Sequence, residues 1–195
     1  MNKEVKNSIS IYLIEDDFSQ RESLESLLNF KSYIVKSFKS AKDFLNTKNI
    51  ERPAILISDI HLPDQSGVDL HKELLKHNVD LPVIFISGES TIQQSVDAMK
   101  QGAIEFLVKP FDINDLLNAI DKSINIEIKR MNLNLLLKRL SPRENEVYGL
   151  LVEGFNNSEL MAKLSLSLPT IKQYKSEVMR KLEVKTLFEL ITLSK

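Results

Sequence analysis

The 195-residue chain is 43% hydrophobic and 27% charged, with a net charge of −1 and no cysteine. That balance supports a buried core, argues against disorder along the whole length, and rules out disulfides and thiolate metal sites. Residues 1–8 are polar and lack the apolar core of a secretory signal, and no apolar run approaches the roughly 20 residues that span a bilayer. A soluble, cytoplasmic protein of two domains is expected.

Apolar runs at 9–14, 34–38, 55–58, 83–87 and 105–108 read as strands, and helix-period segments at 19–30, 41–46, 67–77 and 92–100 lie between them. Strands separated by helices predict a doubly wound, five-stranded parallel sheet of the α/β class. Ser40…Asp43, Ser66…Asp69 and Thr91…Gln94 resemble capping boxes at three helix starts. A fifth helix is expected from Asp112. Its apolar stripe, Ile113, Leu117, Ile120, Ile124, Ile128, Met131 and Leu135, meets no Gly or Pro before Pro142. The first half of this helix should pack on the sheet. Beyond Ile124 the stripe needs another partner, either the second domain or a second copy in a coiled-coil-like contact.

The remainder is expected to be all-α, with four helices. Ser141-Pro142-Arg143-Glu144 is a capping box with Pro at the first helical position, and that helix stops at Gly154. Asn156…Glu159 opens a second helix, Ser167 is a candidate cap for a third ending near Leu182, and Thr186…Glu189 opens a short fourth. Helix, short turn, helix outlines a helix-turn-helix. The expected plan is an N-terminal tail at 1–8, an α/β domain at 9–125, a helical linker at 126–138 and a helix-turn-helix domain at 139–195. Charge follows it: 1–137 carries 16 Lys and Arg against 20 Asp and Glu, whereas 138–195 carries 10 against 7. An acidic first part and a basic last part suggest different partners.

Four strands end in polar groups: Glu15-Asp16-Asp17, Asp59, Ser87 and Lys109-Pro110. In an open parallel sheet, ligands sit beyond the carboxyl ends of the strands, so these groups should converge. Asp16 and Asp59 can supply hard oxygen ligands to Mg²⁺, with Glu15 or Asp17 acting through water. A carboxylate can also attack phosphorus. Lys109 can neutralise phosphoryl charge and Ser87 can donate to a phosphoryl oxygen. Lys109-Pro110 is a candidate cis bond. No G-x-x-x-x-G-K-[ST] is present, and Asp59 is followed by Ile60-His61, without the Asp-x-Asp of haloacid-dehalogenase-like phosphatases. The phosphoryl group would then come from a partner or a small phosphodonor.

Residues 9–125 resemble a response-regulator receiver domain, whose fold is flavodoxin-like. Glu15-Asp16 matches that family's acidic pair, and Asp59-Ile60-His61-Leu62-Pro63-Asp64-Gln65-Ser66-Gly67 is similar to its D-x-x-M-P-x-x-x-G loop, with Leu62 for Met. Ser87 and Phe106 stand at the two switch positions, and Lys109-Pro110-Phe111 matches K-P-F. The resemblance implies that Asp59 is the phosphoacceptor and that Asp16, Asp59 and the backbone carbonyl of His61 ligate Mg²⁺, with Glu15 acting through water. His61 would contribute only its backbone, and His71 and His77, on or after a polar helix, are expected to be solvated.

Residues 140–193 resemble the LuxR-type (NarL/FixJ) DNA-binding domain. The matching segments are Leu140-Ser141-Pro142-Arg143-Glu144-Asn145-Glu146-Val147, Gly154-Phe155-Asn156-Asn157-Ser158-Glu159-Leu160, Leu166-Ser167-Leu168-Pro169-Thr170-Ile171-Lys172 and Lys181-Leu182-Glu183-Val184. With the stretch at 104–111, the overall likeness is to FixJ-type regulators. Ser165 replaces a usual turn glycine, Tyr174 a frequent His and Ser158 a frequent Lys. The third helix would enter the major groove of double-stranded DNA. Lys172 and Gln173 would reach base edges, and Lys175, Ser176 and Lys181 extend the same polar, cationic face, the two lysines toward phosphates.

These resemblances imply a two-component response regulator. A sensor histidine kinase would phosphorylate it, it would pair as a homodimer on phosphorylation, and it would control transcription at DNA, with RNA polymerase a further candidate partner. It would be a switch rather than a metabolic enzyme, limited to its own phosphotransfer and dephosphorylation. Two alternatives from other classes are a Mg²⁺-dependent phosphatase with an Asp nucleophile and a regulator whose output domain binds protein.

Overall fold

The computed structural model describes residues 9–47, 49–88 and 92–193, with the side chains of Ile92, Gln93 and Gln94 left aside. The Thr91…Gln94 pair and the tail at 1–8 therefore lie outside the described residues. The chain divides into two compact units, one ending at Ile128 and the other beginning at Lys129.

The first unit contains β1 (Ser10–Ile14), α1 (Phe18–Phe30), β2 (Ile34–Phe38), α2 (Ala41–Leu45), β3 (Ala54–Asp59), α3 (Gly67–Lys76), β4 (Val83–Ser87), α4 (Ile92–Lys100), β5 (Glu105–Val108) and the start of α5 (Ile113–Leu137). All neighbouring strands are parallel, in the order β2-β1-β3-β4-β5. β1, β3 and β4 are buried from end to end. This is why they read as unbroken apolar runs: helices cover both faces. Alternate side chains part between the faces. Ile11, Leu13, Ile55, Ile57, Ile84 and Ile86 pack with Leu28 of α1 and with Leu116, Ile120 and Ile124 of α5. Tyr12, Ile14, Leu56, Val83 and Phe85 pack with Phe44, Leu70, Leu74 and Ala98 on the other side.

His71 is buried, not solvated. It shares the inner face of α3 with Gly67, Leu70 and Leu74, and its ring meets Phe85 edge-on at 6.1 Å. The spacing 67, 70, 71, 74 is one helical face, and helix phase overrides side-chain polarity. His77, by contrast, is exposed at the end of α3.

Among the described residues of this unit, Glu127 is the most deeply buried charge. Arg52 donates to it twice, from Nε to Oε1 at 2.7 Å and from Nη2 to Oε2 at 2.6 Å. The amide of Ala54, at the start of β3, also donates to Oε1, at 3.2 Å. The same guanidinium donates to the Asp80 carbonyl at 2.8 Å. A bidentate pair with extra donors is the arrangement that makes a buried charge tolerable.

The second unit contains α6 (Pro142–Val152), α7 (Asn157–Leu164), α8 (Leu168–Lys181) and α9 (Leu187–Leu193) around Val147, Leu151, Leu160, Leu164, Ile171, Val178, Leu182 and Leu190. Leu136, Leu137 and Leu140 pack on this core, whereas Leu135 is exposed. Of the stripe along α5, Leu117, Ile120, Ile124 and Ile128 pack on the sheet core, whereas its two ends, Ile113 and Leu135, are exposed. Both expected capping boxes, Ser141 with Glu144 and Asn156 with Glu159, are present. Ser167 precedes α8 without a side-chain cap, and its hydroxyl pairs with Thr170 Oγ1 at 2.8 Å. Ser165 adopts the left-handed conformation at φ 53°, so the turn keeps the backbone that a glycine would supply.

Glu127→Ala would leave Arg52 facing a buried hole. Because Arg52 keeps a third of its surface in water (34% exposed), the loss should fall at the low end for a broken buried pair. We expect about 3 kcal/mol, read from the urea transition of the first unit.

Candidate phosphoryl site and nucleic-acid interface

The ends of β1, β3 and β5 bring Glu15, Asp16, Asp59 and Lys109 together. Carboxylate oxygens of the three acids lie within 4.8 Å of one another, with Glu15 and Asp59 buried and Asp16 exposed. Lys109 Nζ donates to Glu15 Oε2 at 2.7 Å and to Asp59 Oδ2 at 2.6 Å. The other oxygen of Asp59 accepts the His61 amide at 2.7 Å. Burial pushes the Glu15 carboxyl above its ordinary range, with Lys109 pulling the other way. Burial also opposes the charge on Lys109, but its bonds to Asp59 and Glu15 outweigh that and hold the amine above its ordinary value. Three acids around one ammonium leave surplus negative charge, and the donor atoms are all hard oxygens. The set fits a divalent cation such as Mg²⁺.

Asp17, the alternative to Glu15 as a water-mediated ligand, is engaged elsewhere. It caps α1, accepting the Gln20 amide at 2.8 Å. Ser87 ends β4 fully buried, and its carbonyl accepts the Lys109 amide at 2.8 Å. Phe106 is half-buried and stands opposite Phe85 in the ladder. The Lys109–Pro110 peptide is cis.

Two residues shape this site without having been singled out by local pattern. Arg21 Nη1 donates to the carbonyls of Glu15 and Asp16 at 2.6 and 3.1 Å, fastening the backbone of the acidic pair. Asp64 reaches from the loop after β3 to the start of α2, accepting the Ala41 and Lys42 amides at 3.2 and 2.7 Å. The Arg21 contact follows from a one-turn helix start. The Asp64 contact spans more than twenty residues, and no local signal announces it. The loop closes where the Gly67 amide donates to the Ile60 carbonyl at 2.9 Å. A Cβ on Gly67 would stand 2.4 Å from the Asp59 carbonyl oxygen.

In the second unit, α7, the Ser165 turn and α8 form the expected helix-turn-helix. Lys172, Gln173 and Ser176 are exposed on α8. Lys175 is half-buried and donates to Asn157 Oδ1 at 2.9 Å. Lys181 differs from the exposed three: its ammonium is 2.6 Å from Glu144 Oε2 of α6. Arg180, whose position no sequence motif marks, is exposed in the last turn of α8 beside Glu177.

A five-stranded parallel α/β unit with an acidic strand-end cluster, followed by a helix-turn-helix, defines a signal-responsive regulator class. Residues 11–121 match the response regulator receiver domain, and residues 138–194 match the bacterial regulatory proteins of the luxR family. The chain is 36% identical to Nodulation protein W of Bradyrhizobium diazoefficiens over 98% of its length and 87% of that protein. It is 29% identical to Transcriptional regulatory protein FixJ of Rhizobium meliloti, covering 95% of this chain and 94% of that one. Among solved structures, response regulator StyR superposes with a TM-score of 0.61 at 32% identity, covering 96% of this chain and 98% of StyR. The chain belongs to the FixJ-type response regulators: it is a two-component transcriptional regulator with a LuxR-type helix-turn-helix. Such an architecture implies a histidine kinase and DNA as partners, and a regulator rather than a metabolic enzyme. Among the described residues, no helix is long and apolar enough to cross a membrane.

Gly67→Ala forces backbone to move beside Asp59, so it should destabilise the first unit by about 1–3 kcal/mol in urea unfolding. For the second unit, the hydrogen bond from Lys181, then that from the Ser141 amide, hold the Glu144 carboxyl below its ordinary value of 4.5. A lowered carboxyl contributes stability that is full above the unfolded value and lost as pH falls through the folded one. The unfolding midpoint of this unit should therefore drop on acidification below about pH 4.5, and Glu144→Gln should flatten that limb.

Proposed function

We propose that Asp59 is the phosphoacceptor through which a sensor histidine kinase controls DNA binding by residues 139–195. The observation that carries this is the Lys109 ammonium held between Asp59 and Glu15 at the carboxyl end of the sheet. An Asp59 carboxylate oxygen forms a bond to phosphorus as the donor's phosphorus–nitrogen bond breaks, and the histidine imidazole departs with the electron pair. Lys109 pairs with a phosphoryl oxygen, exchanging one of its carboxylate contacts for it. Ser87 donates its hydroxyl to another phosphoryl oxygen, and Phe106 turns to follow it. Asp16, Asp59 and the backbone carbonyl of His61 would hold Mg²⁺, with Glu15 acting through water. When bound, the cation offsets charge on the phosphoryl oxygens. The protein's only chemistry is this phosphotransfer to itself and the later hydrolysis.

The domain plan is a receiver at 9–125, a linker at 126–138 and a DNA-binding domain at 139–195. Phosphorylation shifts the population toward a homodimer formed through α4, β5 and α5. The apolar side chains exposed on those elements, Val96, Met99, Val108 and Ile113, support that surface. In the DNA-binding domain Lys172 and Gln173 read base edges, and Lys175 and Ser176 lie along the backbone. The protein works in the cytoplasm, and RNA polymerase is the partner through which a bound dimer would change transcription.

Incubation with Mg²⁺ and acetyl phosphate should add one phosphoryl group, lost in Asp59→Asn, as read by intact mass. Undiminished labelling of that variant would remove Asp59 from the role.

A further inference from the structure

Lys181 lies in the last turn of the recognition helix α8, where a lysine is ordinarily available to DNA phosphate. Its surroundings are different. The ammonium is bound to Glu144 Oε2 at 2.6 Å, and the two side chains are only 25% and 8% exposed. The same Oε2 accepts the Ser141 amide at 2.6 Å, and the Ser141 hydroxyl accepts the Glu144 amide at 3.3 Å. One carboxylate thus closes the cap of α6 and receives the end of α8. A second tie lies beside it, where Arg139 Nη1 meets Glu183 Oε1 at 2.6 Å. The preceding residue serves the other end of the motif: Arg143 Nη2 donates to the Leu164 carbonyl at 2.7 Å, at the Ser165 turn between α7 and α8. Adjacent side chains at the start of α6 therefore hold both the turn and the far end of the helix-turn-helix.

We infer that Glu144 and Lys181 are positioning residues for DNA recognition, with Glu144 fixing the tilt of α8 through Lys181 and Lys181 making no phosphate contact. Base readout by Gln173 and Lys172 requires side chains placed to within a fraction of an ångström. Those residues sit at the first turns of α8, so a small pivot at its C-terminal end moves them across the base edges. A phosphate contact has the opposite signature. It is indifferent to sequence, and each one adds about 0.9 to the slope of log affinity against log salt.

The inference rests on the DNA-binding reading, and the experiment separates the two. A duplex is selected from a random-sequence pool by the full-length, acetyl-phosphate-treated wild-type chain. Binding to it and to a scrambled duplex of equal length is then measured across a KCl series for wild type, Lys181→Met, Glu144→Gln and the double variant. Glu144→Gln keeps an acceptor for the Ser141 amide, so it tests the ion pair with the cap retained. We expect both single variants to lose at least about fivefold in the selected-to-scrambled ratio, the size of one good base contact. The salt slope of Lys181→Met should match wild type, and the double variant should be no worse than either single. A slope flattened by about one unit in Lys181→Met would make Lys181 a phosphate contact and overturn the inference. So would an unchanged ratio in Glu144→Gln. If the wild-type chain selects no duplex at all, the DNA-binding reading itself falls, and this inference with it.

Discussion

Placing negative charge at the end of a buried sheet is the problem around which the first unit is built. Glu15 and Asp59 are withdrawn from water and stand close to Asp16. Carboxylates so placed repel each other, and burial favours protonation. The Lys109 ammonium between Glu15 and Asp59 opposes both effects. It can be there only because β5 runs parallel to β4 at the sheet edge and ends level with it, Ser87 opposite Val108. The ammonium relieves part of the repulsion and leaves the remainder as an unsatisfied demand for positive charge. A divalent cation would meet that demand.

Much of the supporting structure keeps those few atoms still. Arg21 fastens the carbonyls before α1, the Gly67 amide closes the loop after β3, and Asp64 ties that loop to α2. Each is a hydrogen bond to a backbone group. A backbone anchor sets where a loop passes and leaves the neighbouring carboxylates free for chemistry. The helical unit is anchored in a similar way. Arg143 holds a carbonyl at the turn and Glu144 holds an amide and an ammonium, so two consecutive residues order three helices.

The sheet and the strand-end cluster of Glu15, Asp16, Asp59 and Lys109 were legible in the sequence for a physical reason. A parallel strand covered on both faces must be a continuous apolar run, and the first polar residue after it must stand at the ligand-binding edge. Ile55-Leu56-Ile57-Ser58-Asp59 carries both messages in five residues. Contacts between distant segments were not legible. Nothing local tells Asp64 that it will cap α2, or Glu127 that it will meet Arg52. His71 is polar, yet its place on the buried face of Gly67, Leu70 and Leu74 overrides that polarity. On α8 the letters alone place Lys172 and Lys181 on one DNA-facing cationic surface. Only the fold separates an exposed one from one bound to Glu144.

The burial of Glu127 has a consequence for how the long helix can change over generations. A glutamate with both oxygens engaged acts as a key in a shaft. Removing or adding one residue between Ile113 and Glu127 would turn the carboxylate by about 100° about the helix axis, away from Arg52 and the Ala54 amide. Variation in helix length is thereby barred from the turns before the key and confined to the stretch after Ile128. Insertions and deletions among descendants of this sequence should collect there, leaving the spacing from Ile113 to Glu127 constant.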